Sequence, residues 1–305
     1  MLRPPFPERP AGADEVVLDI DDIHALCLRM LDAFTAFCNR HGLSFYLCGG
    51  TLLGAVRHGG FIPWDDDLDL FMSRPDYDRL VQFCGKEEIA PGLRFACLEN
   101  GEFLRPFARI YDLSAPVQRK TRVAASGPYV WIDILPVDGL PEDPRRLKAL
   151  YRRRDRLSRW NYGAFWKPFT GARKKMILKS FRGWVPGRLG GARRWAKTLD
   201  ALGRRFPFGA TTLVGCVTAG RYGVGEAMPL TRYLEPVPMT FEGRPLQTMS
   251  CWREYLTGIF GDYMRLPPEE ERFPHLNYAT MKIRDREALL ERYGGQVHGR
   301  RNAEP

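Results

Sequence analysis

From Ile23 onward, Leu26, Cys27, Met30, Leu31, Phe34, Phe37 and Cys38 recur at helical spacing. The pattern predicts an amphipathic helix, capped by Asp21 or Asp22 and ended by Gly42. His24 and His41 read as surface or helix-end residues. Leu43 to Leu47 reads as a first strand, Thr51 to Arg57 as a short helix, and Asp67 to Met72 as a second strand. Ser73 then caps a helix with Pro75 in its first turn. Short strands are predicted at Leu93 to Leu98, Arg105 to Asp112 and Val117 to Val123. Tyr129 to Leu135 is a longer apolar strand. Thr211 to Thr218 and the stretch around Tyr233 to Val237 read as further strands. A short helix near Cys251 to Phe260 and a charged helix after Tyr278 complete the pattern.

Two polar features interrupt this pattern. The pair Gly49-Gly50 follows the first strand and opens the short helix, where backbone amides can hold phosphate oxygens. Asp65-Asp66-Asp67-Leu68-Asp69-Leu70 then passes into the second strand. Side chains alternate along a strand, so Asp67 and Asp69 share a face, with Asp65 beside them if the extended run begins there. Carboxylates crowded in this way repel unless a cation lies between them. For all-oxygen ligands next to phosphate, that cation is Mg²⁺ or Mn²⁺. Asp133 is a single acid inside the apolar run Tyr129 to Leu135, so it needs a cation or a hydrogen-bond network. Asp138, beside Gly139, reads as a turn residue or cap.

Composition adds a bias towards anionic partners. The 305 residues carry a formal net charge of +10, with a sequence pI near 9.4. Such a balance suits a nucleotide, a phosphorylated glycan, nucleic acid or an anionic membrane. The basic residues concentrate between Pro141 and Phe206, among them Arg152-Arg153-Arg154 and Lys174-Lys175, interleaved with Trp160, Tyr162, Trp166 and Phe169. This stretch reads as basic amphipathic helices with a Gly/Pro connection, suited to an anionic membrane surface or a lipid-linked acceptor. Nucleic acid is the disfavoured partner. The scattered cysteines form no C-x-x-C pair and read as reduced core residues rather than zinc ligands. Met1 to Ala13 is proline-rich without an apolar core, so a signal peptide is not expected.

The stretch from Gly49 to His58, followed by Phe61 to Leu70, resembles the LicD family, bacterial phosphocholine transferases related to fukutin and fukutin-related protein. Trp131 to Gly139 is similar to a second motif of that family, and Gly261-Asp262-Tyr263-Met264 before Pro267-Pro268 to a third. The resemblance implies an α+β fold: a nucleotidyltransferase-like mixed sheet flanked by helices, here with a basic helical insertion. The implied layout is a disordered leader at 1–14, a catalytic core at 15–140, the insertion at 141–210, a part completing the catalytic domain at 211–290, and a tail at 291–305. It further implies a metal-dependent transferase in which Asp67, Asp69 and Asp133 are catalytic. Asp65, Asp67, Asp69 and Asp133 would bind Mg²⁺ or Mn²⁺. Gly49, Gly50, Thr51, Arg57 and His58 would contact the donor's phosphates.

The implied donor is CDP-choline, and the acceptor is a hydroxyl of lipopolysaccharide, capsule or teichoic acid, or of a lipid-linked precursor. The same site could transfer ribitol phosphate, glycerol phosphate or phosphoethanolamine, or a nucleotidyl group from an NTP. A non-catalytic membrane- or nucleic-acid-binding module is the reading from another class. The expected location is cytoplasmic, or peripheral on the inner face of the membrane. Trp64, Trp131, Tyr162 and Trp166 are candidate faces for a choline headgroup.

Overall fold

The computed structural model describes residues 14–117, 128–165, 185–272 and 279–298. The leader 1–13, the expected strand beyond Val117, the centre of the basic stretch with Trp166, Lys174 and Lys175, His275 and the tail from 299 lie outside these residues.

The chain begins with β1 (Glu15–Val17) and α1 (Ile20–His41). Asp19, not Asp21 or Asp22, is the cap of α1: its carboxylate accepts the Asp22 amide, and Asp22 returns a bond to the Asp19 amide. This reciprocal box satisfies two orphan donors, and Asp22 is also held by Arg286. The helix buries Ala25, Leu26, Cys27, Leu28, Met30, Leu31 and Phe34 completely. Each large side chain of that set contributes about 1.5–3 kcal/mol by leaving water. Gly42, in the left-handed region at φ 58°, ends the helix as expected.

Next come β2 (Tyr46–Leu47), α2 (Gly49–His58), β3 (Asp69–Ser73), α3 (Arg74–Val81), β4 (Leu93–Ala96), β5 (Ala108–Pro116) and β6 (Tyr129–Leu140). Ser73 caps α3 through the Asp76 amide, as the sequence predicts. The central sheet runs β2-β3-β6-β5-β4. All its pairings are antiparallel except β3 with β6, which are parallel and place Asp69 opposite Asp133. The short strands β7 (Leu213–Gly215) and β8 (Met228–Pro229) extend the sheet from the end of β6.

Helices α4 (Pro144–Gly163) and α5 (Ala192–Gly203) pack on each other over Leu147, Leu150, Tyr151, Leu157 and Leu199. Trp160 and Trp195 meet with ring centroids 4.8 Å apart. Arg152, Arg153, Arg156 and Arg159 lie on the exposed face of α4. The chain closes with α6 (Leu230–Tyr233), the hairpin of β9 (Pro236–Phe241) and β10 (Arg244–Met249), α7 (Trp252–Phe260), β11 (Thr280–Lys282) and α8 (Ile283–His298). Tyr233, expected in a strand, ends a one-turn helix, and pairing starts only at Pro236.

Asp138 is also corrected. It is neither turn nor cap but lies within β6, 1% exposed. Arg74 donates to both its oxygens at 2.6 and 2.9 Å and reaches Asp200 at 3.0 Å. The strand runs five residues further than its apolar pattern because this guanidinium neutralises the acid inside it. No described helix is long and apolar enough to cross a membrane.

Candidate active site

One cavity of about 1180 Å³ gathers the glycine turn and the carboxylates. Gly49, Gly50, Asp65, Asp67, Asp69 and Asp133 all line it. The sheet explains why: β3 and β6 run side by side in parallel, so residues far apart in sequence present carboxylates at one level. The Asp69 amide donates to Thr51 Oγ1 at 2.8 Å, tying the strand to α2. His24, expected at the surface, is buried. It stacks on Phe61 with centroids 4.0 Å apart and places Nε2 2.7 Å from the Asp65 carbonyl, steadying the acidic loop.

Burial pushes the Asp69 carboxyl well up from its ordinary value, and the charges of Asp67, Asp133 and Asp65 add to the rise. Asp133 is held by Arg109, which donates to both carboxylate oxygens, the Nη2 bond being 2.9 Å. The two face each other across β5 and β6. Trp131 and Phe103 cover the guanidinium at 4.2 and 4.3 Å from their ring centres. The cation that compensates Asp133 is thus partly supplied by the protein. A lone Arg109 in an apolar strand, matching a lone Asp133 in the next, is the signal by which the sequence could have shown it.

The donor set suits a hard cation. Its ligands are carboxylate oxygens, they crowd enough to raise Asp69, and Gly50 leaves room for one of them. A Cβ at Gly50 would stand 2.5 Å from Asp65 Oδ2, and one at Gly49 would stand 3.5 Å from Asp69 Oδ2. Among the described residues no three His, Cys, Asp or Glu side chains are drawn into a ready metal cluster.

The expected phosphate ligands divide. Gly49, Gly50 and Arg57 line the cavity, whereas Thr51 and His58 do not. The N-cap residue of α2, Cys48, makes no side-chain capping bond, and Gly49 and Gly50 at the helix start line the cavity with the carboxylates. The Gly49 amide itself donates to the Tyr255 hydroxyl at 3.3 Å. Arg57 donates through Nε to His58 and through Nη1 to the Tyr263 carbonyl. Burial and the Arg57 charge lower the His58 pKa from its ordinary value.

Sequence reasoning gave no site role to Arg105, Arg154, Asn161, Arg221 and Glu226, which line the same cavity together with Tyr162. Glu226 accepts the Tyr222 amide at 3.2 Å, and burial pushes its carboxyl up to about 7. Three of the candidate headgroup rings already carry a guanidinium on one face: Arg109 lies over Trp131, Arg105 over Tyr162 and Arg272 over Trp64; Trp166 lies outside the described residues.

Comparison with known proteins agrees with this geometry. The profile described as LicD/FKTN/FKRP, nucleotidyltransferase domain, matches residues 42–107. The lipopolysaccharide cholinephosphotransferase LicD of Haemophilus influenzae is 30% identical over 261 residues, covering 85% of this chain and 96% of that protein. The human and mouse ribitol 5-phosphate transferases FKRP are each 48% identical over 46 residues, 15% of this chain and 9% of theirs. With the glycine turn, the aspartate row and a relative aligned along nearly its whole length, this chain belongs to the LicD family.

Proposed function

We propose that the protein transfers phosphocholine from CDP-choline to a hydroxyl of lipopolysaccharide or of its lipid-linked precursor, with Mg²⁺ or Mn²⁺. The observation that carries this reading is the aspartate row beside the start of α2, in a chain aligned over 85% of its length with a cholinephosphotransferase. The acceptor oxygen attacks the phosphorus bearing choline, the bond from that phosphorus to the CMP oxygen breaks, CMP leaves, and the acceptor proton passes to a base. Such a reaction asks the protein mainly to align groups and neutralise charge.

Asp65, Asp67 and Asp69 would hold the metal, which when bound neutralises phosphate charge and acidifies the acceptor. Asp133 would join them as the fourth carboxylate. Arg109 already takes two of its roughly four lone-pair sites, so orientation suits it better than proton transfer. Gly50 and Arg57 would contact the donor's phosphates. The exposed arginines of α4 suit a protein working peripherally at the inner face of an anionic membrane.

Transfer of ribitol phosphate is the second reading. It is favoured by the FKRP matches and by the arginines already covering Trp64, Trp131 and Tyr162. The test is CMP release from CDP-choline, CDP-ribitol and CDP-glycerol, with lipopolysaccharide as acceptor. Choline transfer that needs Mg²⁺ and disappears in Asp67→Ala, with an unchanged melting curve, is expected. Full turnover in Asp67→Ala would sink the metal assignment.

A further inference from the structure

Arg105 is a buried charge for which the described residues supply no carboxylate partner. It is 3% exposed, lines the cavity, and has no carboxylate within ion-pair distance among the described residues. Its Nη1 donates to Asn161 Oδ1 at 2.7 Å, and its guanidinium lies 3.2 Å from the centre of the Tyr162 ring and 5.1 Å from that of Phe165. These contacts fix the fork in place without neutralising it. Burial pushes Arg105 down to about 10; Tyr162 and the more distant Asp133 charge offset part of the fall, and Arg109 and Arg221 add to it. A cation removed from water without a counter-charge is costly.

Arg221 reaches the same point from a different element. It follows β7 on the turn that Glu226 holds through the Tyr222 amide, and it lines the cavity from an exposed position. It too lacks a carboxylate within ion-pair distance among the described residues, although it feels Asp69 and Asp67 across the cavity. Tyr162 is 41% exposed, so desolvation raises its phenol only in part, and the charges of Arg105, Arg221 and Arg109 hold it below its ordinary value. A concentrated positive potential therefore faces the aspartate row.

We propose that Arg105, steadied by Tyr162 and Asn161, and Arg221 form a second anion site that binds a substrate phosphate in the cavity the α2 glycines also line. Guanidinium forks match phosphate oxygens in pairs, and charge-assisted bonds of this kind are among the strong ones; Arg105 offers its fork from a buried position and Arg221 from an exposed one. The ligand class is a phosphate ester or diphosphate. Two sources fit: the diphosphate of the donor, or a phosphate carried by the acceptor. The inference rests on the proposed transferase reading only for the identity of the donor.

The test is thermal shift and calorimetry on the full chain with pyrophosphate, CDP, CMP and N-acetylglucosamine 1-phosphate, each with Mg²⁺, for wild type, Arg105→Met and Arg221→Gln. Wild type is expected to respond to pyrophosphate, and each variant to bind it about tenfold or more weakly. Without ligand, Arg105→Met is expected to melt no lower than wild type, since an uncompensated cation has been removed. Parallel loss for CDP assigns the donor; parallel loss for the sugar phosphate alone assigns the acceptor. A wild type that ignores pyrophosphate, or variants that bind it as wild type does, overturns the site. So does an Arg105→Met protein that melts lower yet keeps its pyrophosphate response. If wild type answers pyrophosphate through Arg105 but ignores every cytidine ligand, the proposed function fails and the anion site stands.

Discussion

Replacing Arg109 with methionine isolates the ion pair that holds Asp133. The guanidinium is 6% exposed, donates to both carboxylate oxygens, and is covered by Phe103 and Trp131. Methionine fills similar space against those rings. What it removes is the charge, leaving Asp133 unpaired beside Asp69. Breaking a buried pair from one side costs about 3–5 kcal/mol. Against a total stability of about 5–15 kcal/mol this is a large fraction. At about 2–4 °C per kcal/mol, the melting temperature should fall by roughly 6–20 °C. The double variant Arg109→Met with Asp133→Asn removes both charges and should return to within about 1.5 kcal/mol of wild type. Urea unfolding of the four proteins, without added metal, closes the cycle. A single variant that loses under about 1 kcal/mol, or a double variant no more stable than the single, refutes the argument that charge rather than packing is at stake.

Three further outcomes are expected. In Gly50→Ala the new Cβ would stand 2.5 Å from Asp65 Oδ2, a movable terminal atom, so stability should stay within about 1 kcal/mol while turnover falls about tenfold or more; unchanged CMP release would show that Asp65 position is immaterial. Burial raises Glu226 from its ordinary 4.5 to about 7, so the folded state keeps a proton that the unfolded chain releases. Wild type should therefore lose stability, on the order of 3 kcal/mol, as pH rises from about 4.5 to 7 relative to Glu226→Gln, and a pH-independent difference between the two unfolding curves would contradict this. The Cys84 and Cys97 sulfurs lie 3.0 Å apart, so mild oxidation should join them, with a two-proton mass loss that Cys97→Ser abolishes; two thiols still alkylated after oxidation would count against it.

Helix α1 and Ser73 at the start of α3 were legible from apolar spacing and a capping residue, and β4 and β6 from apolar runs, β6 being buried on both faces. The same local rule misjudged Asp138, since its partner Arg74 comes from another strand–helix junction and nothing near Asp138 announces it. His24 failed for a related reason: it sits at a helix position that looks terminal, and only the fold brings Phe61 and the Asp65 carbonyl against it. In the site, the glycine turn and aspartate row were visible because their residues are consecutive. Arg105, Arg221 and Glu226 belong to segments whose local patterns are ordinary, and their chemistry exists only where the sheet and α4 converge.

The parallel pairing of β3 with β6 sets the order of events when the chain folds. No tight turn can join parallel neighbours, and here α3, β4 and β5 intervene before the second strand arrives. Asp69 meets Asp133 only after that whole excursion has closed, a non-local step that is slow compared with helix formation. A chain in which this excursion has not closed therefore lacks the juxtaposed carboxylates of the site. On refolding, recovered turnover should trail recovered helical signal, and the lag itself measures closure of the central sheet.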